Sequence, residues 1–369
     1  MKKVYRIAVW LVLLAPWCAQ AQLQLPDGTN LKRSSGTRVG VTDIEITWNA
    51  PGVKGREGKI WGTAVAPFGF SVLGFGSNVP SPWRAGANQN TTVSFSTDVT
   101  INGKKLQAGK YGLHIALYAD SCTLIFNRNT SGWGSYFYNS GLDVLRVTTR
   151  QQKNLKDSRE RLEYIFSNYT DASVDVALEW ERWRIPFTVA VNLKGTTLAS
   201  IRRQMSGAIG FDPPSLEAAA AWCLRNEVNY DEALNWITSA TDPNLGGRNN
   251  FNALSTKAGL LTKLNRQPES DQAMQLALEN ASAQEMHLYG RQLLNEKKTN
   301  EAFAIFEKNF KKHKGAWPTH VGMMRGYSAQ GNLKKALEHA RLALAQAPND
   351  MNKQSLEQAV KTLESGKAL

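Results

Sequence analysis

Histidine and cysteine are scarce in this chain of 369 residues, which contains five histidines and three cysteines. Neither residue occurs in pairs at the spacing of a zinc site, and no run of acidic residues resembles a calcium-binding loop. Serine never occurs in the Gly-x-Ser-x-Gly pattern of a hydrolase. The sequence therefore predicts no metal and no cofactor, and it assigns no catalytic residue.

Long hydrophobic runs are also missing, apart from a short one at the N-terminus. Residues 1–21 combine a basic start with an apolar core at Ile7–Pro16 and a small-x-small pattern that ends at Ala21. This combination is typical of a secretory signal peptide, and the apolar core is shorter than the ~20 residues that a membrane span needs. We predict cleavage after Ala21, a periplasmic or secreted protein, and no transmembrane segment in the mature chain.

Two cysteines, Cys122 and Cys223, follow the signal peptide and fall in different predicted domains. A disulfide framework needs several cysteines at close spacing, so buried free thiols are expected instead. The formal net charge of +13 is spread through both halves. Because no recognisable nucleic-acid-binding module accompanies this charge, we predict no nucleic-acid partner. Weak attraction to anionic glycans or membrane surfaces stays open. The densest basic run, Lys308–Lys314, suits a helix C-terminus.

Hydrophobicity alternates with period two through the first half, which is typical of half-buried strands. One face of a single strand is predicted at Val93, Phe95, Thr97, Val99 and Ile101, before a hairpin turn at Asn102-Gly103. Further strands are predicted at 44–48, 123–126, 144–147, 164–169, 174–180 and 187–191. After an N-terminal segment at 22–36, residues 37–193 are therefore expected to form an all-β sandwich or barrel-like domain.

Helical spacing replaces this alternation near residue 200. We expect a linker and helix at 194–214 and helical repeats at 215–369. Glu301–Phe306 aligns with Lys335–Ala340 at an offset of 34, the period of tetratricopeptide repeats. Stacked helical hairpins of this kind leave a concave groove, so a protein or peptide is the expected partner of the repeats.

Several motifs in the β half resemble one family. They are Pro51–Arg56, Lys59–Gly62, Trp83–Asn88, Phe95–Ile101, Ala108–Tyr111, Trp133–Tyr136 and Asp143–Val147. Together they resemble the domain of unknown function (DUF) 2911 family over about residues 37–191. The resemblance implies an exported bacterial protein, in some members with helical repeats appended. It implies no reaction, because the activity of the family is not established.

The chain departs from the family pattern in two places. Residues 70–82 form an insert before the Trp-Arg motif, and Gln89 stands where the family tends to have a glutamate. We expect the insert to be an enlarged loop. If that glutamate were catalytic or metal-binding in relatives, this protein would lack it.

The candidate ligand-binding residues lie on two predicted loops and one strand. Trp83, Arg84 and Asn88 combine an aromatic face, a cation and an amide, as polar-ligand pockets often do. Trp133 and Tyr136 add aromatic area on a second loop. The alternative is that the tryptophans pack the domain ends while Arg84 and Asn88 satisfy backbone groups.

Strand positions supply the remaining candidates. His114 is predicted opposite Leu113 and Ile115, hence partly exposed. Glu179 and Glu181 are expected to be solvated, with Arg182 and Arg184 as partners, rather than a glycosidase pair.

These observations favour an exported, non-catalytic interaction or scaffold protein. Its β domain would bind an unknown ligand or partner, and its repeats would dock a polypeptide. A glycan-binding or glycan-hydrolysing protein of the cell envelope, acting through the β-domain loops, is the alternative.

Overall fold

The computed structural model describes residues 30–369, so the predicted signal peptide lies outside the described residues. The chain divides into two compact units after Thr196. We call them the β unit and the helical unit.

Over its described residues, 30–196, the β unit contains thirteen strands. They are β1 (Leu31–Val39), β2 (Thr42–Ala50), β3 (Ser71–Val72), β4 (Pro80–Ser81), β5 (Thr92–Phe95), β6 (Val99–Ile101), β7 (Lys104–Leu106), β8 (Gly109–Leu117), β9 (Cys122–Asn127), β10 (Asp143–Thr149), β11 (Arg159–Ser167), β12 (Ser173–Glu181) and β13 (Trp183–Val191). A six-stranded sheet has the order β1-β2-β5-β8-β9-β10, and a five-stranded sheet has the order β11-β12-β13-β6-β7. Strands β3 and β4 pair with each other, and all pairings are antiparallel.

Both sheets contribute to one hydrophobic core. Phe126 of β9 and Phe187 of β13 meet edge to face at 6.3 Å between ring centroids, and Trp48 of β2 meets Tyr164 of β11 at 5.2 Å. Alternate residues of each strand point into this core, which explains the period-two pattern. Cys122 is a buried free thiol, as expected.

The single strand predicted across residues 93–101 is wrong. The structure breaks it at Ser96–Asp98, so that β5 belongs to the six-stranded sheet and β6 to the five-stranded sheet. The Asn102-Gly103 turn does join β6 to β7, with φ angles of 46° and 82°. Alternation is preserved through the break because both strands face the same core.

The helical unit contains helices of 11 to 15 residues. The helices of the chain are α1 (Leu193–Met205), α2 (Pro213–Asn226), α3 (Tyr230–Ala240), α4 (Phe251–Lys263), α5 (Gln267–Asn280), α6 (Ala283–Asn295), α7 (Thr299–Lys312), α8 (Trp317–Ala329), α9 (Leu333–Ala345) and α10 (Asp350–Glu364). The helices pack as the hairpins α2/α3, α4/α5, α6/α7 and α8/α9, and α10 packs against α9. Ala302 of α7 and Ala336 of α9 are both fully buried. Cys223 is a buried free thiol here.

Candidate functional site

Trp83 is part of the hydrophobic core, not of an open pocket. Its backbone exchanges two hydrogen bonds with Ile115 of β8, at 3.0 and 2.9 Å. Its ring stacks on Trp180 with centroids 6.2 Å apart and meets the edge of Trp61 at 5.6 Å. This buried stack stabilises the domain through apolar contact, so Trp83 does not offer a free face to a ligand.

Arg84 is where the two predicted loops meet. Its guanidinium lies 4.8 Å above the ring of Tyr136, and its Nη1 donates to the carbonyl of Asn88 at 3.1 Å. Gly134 permits this approach, because a Cβ at that position would lie 2.4 Å from Arg84 Cζ. Asn88 itself adopts a left-handed conformation with φ 54° and serves as a turn residue.

His114 is buried, so the prediction of partial exposure is wrong. Its exposed fraction is 1%. The loop that follows β9 covers this face of β8: His114 Nδ1 lies 2.9 Å from the hydroxyl of Ser135, and the ring of Tyr138 packs edge-on at 5.4 Å. Burial lowers the pKa of His114 to about 4; Asp143 opposes this shift and Arg84 adds to it.

A second network beneath this loop was not predicted from the sequence. Tyr138 donates its hydroxyl to Asp143 Oδ2 at 2.6 Å, and Arg146 donates to the same oxygen through Nε and Nη2 at 2.8 and 2.6 Å. Burial, and then Asp143, raise the pKa of Tyr138. The sequence feature that pointed to this network was the Asp143–Val147 motif, one of those that resemble the DUF2911 family.

The His114–Ser135 pair does not complete a hydrolytic triad. Asp143 bonds Tyr138 and Arg146, whereas a triad needs a carboxylate that orients the histidine. Ser135 is as inaccessible as His114. The pair therefore holds the loop onto β8 and presents no exposed nucleophile.

The insert lies over the same loop. Ser77 donates its backbone N–H and its hydroxyl to the carbonyl of Tyr136, at 2.8 and 3.1 Å. Phe75 meets the rings of Tyr136 and Phe137 at 5.8 and 6.5 Å between centroids. Trp133, the remaining candidate on this loop, is half exposed.

Glu179 and Glu181 are buried, which overturns the expectation that they are solvated. Glu179 pairs with Arg184, as predicted, and with Arg159 instead of Arg182. Glu181 accepts hydrogen bonds from Trp61 Nε1 at 2.8 Å and from the backbone N–H of Gly58 at 2.7 Å. Every one of these contacts is internal: Glu181 ties the loop at residues 58–61 to the five-stranded sheet, and Glu179 links β12 to its neighbours β11 and β13.

Two grooves run along the helical unit. One of about 1020 Å³ lies mainly between α4 and α6, and its lining includes residues of α2, α5 and α7. The other, of about 540 Å³, is lined by α6, α8 and α10 and by the last two residues. We call the second one the C-terminal groove. Helices α4, α6, α8 and α10 are every second helix of the unit. Both grooves are lined mainly by these helices.

The C-terminal groove carries positive charge and unpaired donors. Its side chains include Arg291 and Arg325 but no aspartate or glutamate. Three buried nitrogens that line it have no hydrogen-bond partner among the described residues: His287 Nδ1, Trp317 Nε1 and Arg325 Nε. Burial, then Arg325 and Arg291, lower the pKa of His287 to about 4. Burial and Arg291 also lower the pKa of Arg325.

Within residues 30–369, no three histidine, cysteine or carboxylate side chains lie together in a way that could hold a metal ion. None of the helices in that range is both long and apolar enough to cross a bilayer.

No curated protein matches the chain. Residues 31–189, from β1 almost to the end of β13, match the model of the family described as "Protein of unknown function (DUF2911)", and the β unit is therefore similar to that family over nearly its whole described length.

Proposed function

We propose that this chain is an exported, non-catalytic interaction protein whose helical unit docks an extended polypeptide. The observation that carries the proposal is the pair of grooves along α4, α6, α8 and α10. Grooves of this size suit an extended segment better than a compact small molecule.

We also propose a more specific fold for each unit. Two sheets that share one core support a β-sandwich. The buried alanines Ala302 and Ala336 stand 34 positions apart, at the tetratricopeptide period, and support repeats of that kind.

The C-terminal groove favours an acidic segment. Burial, and then Arg291, lower the pKa of Arg325, and neither arginine has an ion-pair partner among the described residues. A carboxylate placed between them would satisfy the guanidinium donors and relieve their repulsion, since charge-assisted bonds to arginine are the strong ones.

Catalysis by the β unit has less support. His114 and Ser135 are buried, and Glu179 and Glu181 are fully engaged in internal bonds. An acid or a nucleophile must reach its substrate, so a glycan-hydrolysing role would require these groups to become exposed.

Peptide binding by the full chain tests the proposal. We expect a fluorescent Glu-Ala repeat peptide to bind, and a Lys-Ala repeat peptide not to bind, in an anisotropy titration. Arg325→Gln should weaken binding of the acidic peptide by roughly tenfold or more, the value of a lost charge-assisted hydrogen bond. Arg203→Gln is the matched control, because Arg203 is exposed and does not line the groove.

Two outcomes would contradict the groove assignment. One is equal binding of the acidic and basic peptides. The other is equal loss of affinity in Arg325→Gln and Arg203→Gln, which would indicate attraction by net charge alone.

A further inference from the structure

An uncharged segment precedes the Trp-Arg motif of the β unit. Between Lys59 and Arg84 the sequence contains no aspartate, glutamate, lysine, arginine or histidine. The insert at residues 70–82 makes up most of the second half of this segment. In a chain with a net charge of +13, such a stretch on a domain surface is unusual and requires an explanation.

The insert is held firmly at both ends and near its tip. Gly69 donates its N–H to Leu117 of β8 at 2.7 Å, and β3 pairs with β4 through Ser71 and Ser81. Ser77 bonds the carbonyl of Tyr136. The insert is thus a defined hairpin, and its apolar side chains do not collapse into the core.

Six apolar side chains on and beside the hairpin remain exposed. They are Phe68, Phe70, Val72, Phe75, Val79 and Phe137, which we call the insert surface. Phe75 is the most exposed of them, at 68%, and it lies between two glycines with positive φ. Contiguous exposed apolar groups on a soluble domain mark a surface that binds a partner or a membrane.

Two hydroxyl side chains of the insert are already bonded within the β unit. The hydroxyls of Ser77 and Ser81 are both bonded to backbone carbonyls within the unit. Cations stand at the edge instead: Arg146 lies 5.6 Å from the ring of Phe70, and Arg84 lies over Tyr136. A lipid bilayer matches this arrangement, because its acyl interior would contact the apolar side chains and its phosphates would contact the cations at their edge.

We propose that the insert surface binds a lipid bilayer, with Phe75 at the tip entering the boundary between headgroups and acyl chains. Arg84, which forms no ion pair among the described residues, then faces lipid phosphates, whereas Arg146 stays bound to Asp143. This proposal does not depend on the helical unit, and it adds membrane association to the polypeptide docking proposed above.

Vesicle flotation tests the proposal with the full chain and vesicles of phosphatidylethanolamine and phosphatidylglycerol. We expect the wild type to float with the vesicles, and a Val72→Ser/Phe75→Ser variant to partition roughly tenfold less, because two exposed apolar side chains no longer leave water. Phe211→Ser is the matched control: Phe211 is 88% exposed but lies in the helical unit, so its loss should leave partitioning unchanged. All proteins share the same N-terminus, so any contribution from that segment is constant.

A fluorophore reports where contact occurs. Burial raises the pKa of the Cys122 thiol to about 12 and that of Cys223 to about 11, so an added exposed cysteine reacts selectively. An environment-sensitive label on Val79→Cys should shift to the blue on addition of vesicles, whereas the same label on Phe211→Cys should not.

Three results would overturn the proposal. The first is no vesicle binding by the wild type, and the second is equal partitioning of the Val72→Ser/Phe75→Ser variant. The third is concentration-dependent self-association in sedimentation that this variant abolishes while vesicle binding persists, which would assign the insert surface to a second copy of the chain.

Discussion

Burial of His114 makes the stability of the β unit depend on pH. The pKa of this histidine is about 4 in the folded protein, against about 6.5 when unfolded. Above pH 6.5 the ring is neutral in both the folded and the unfolded protein, and the contribution of the buried neutral ring to the unfolding free energy is fully present. As the pH falls from 6.5 towards 4, the unfolded chain takes up the proton first, and stability is lost.

We therefore expect His114 to contribute about 2 kcal/mol to the fall in unfolding free energy between pH 7.5 and pH 5. Urea unfolding of His114→Asn at both pH values should show a correspondingly smaller difference. Ser135→Ala should retain the wild-type difference, because burial is the main cause of the shift and Ser135 is not among the groups that shift the pKa of His114. An unchanged pH difference in His114→Asn would refute this explanation.

The errors at single residues share one physical cause. Alternation along β8 and β12 correctly gave the strands, but it predicted a solvated outer face for His114 and for Glu179. The loop containing Ser135 and Tyr138 covers His114, and arginines of the neighbouring strands β11 and β13 cover Glu179. Local periodicity contains no information about such long-range covering.

At the scale of elements, the sequence located strands better than it assigned them to sheets. The Asn102-Gly103 turn was predictable because both residues tolerate positive φ, as they have in the structure. The break at Ser96–Asp98 was not, since residues on both sides alternate towards one core. The basic run Lys308–Lys314 was expected at a helix end, and α7 does end at Lys312.

Lys312 also caps a neighbouring helix. Its Nζ donates to the carbonyls of Leu278, Glu279 and Ala281, at 3.1, 2.7 and 2.7 Å, where α5 ends. A cation at this negative pole satisfies carbonyls that have no partner within the helix.

We expect Lys312→Met to lower the unfolding free energy of the helical unit by about 1 kcal/mol. Lys311→Met, the adjacent exposed lysine, removes the same charge without these bonds and should change stability much less. Thermal unfolding followed by circular dichroism measures both. Equal effects of the two substitutions would show that net charge, and not the cap, is responsible.

At the scale of the whole molecule, the change of period near residue 200 coincides with the division after Thr196. The division falls within α1. Leu193 packs against the core of the β unit, whereas Leu198 and Met205 pack against a core of the helical unit. Each unit therefore contains the apolar contacts that an independently folding domain requires.

Separate fragments should consequently fold on their own. A fragment that ends at Thr196, where the two units divide, should give a β-type circular dichroism spectrum and unfold cooperatively. A fragment that begins at Thr197 keeps Leu198 and Met205 together with α2 to α10 and should be strongly helical. Because each core is internal to its unit, the two spectra should add up to that of the full chain. Strong helicity in the front fragment, or loss of cooperative unfolding in both fragments, would show that the two cores do not form independently.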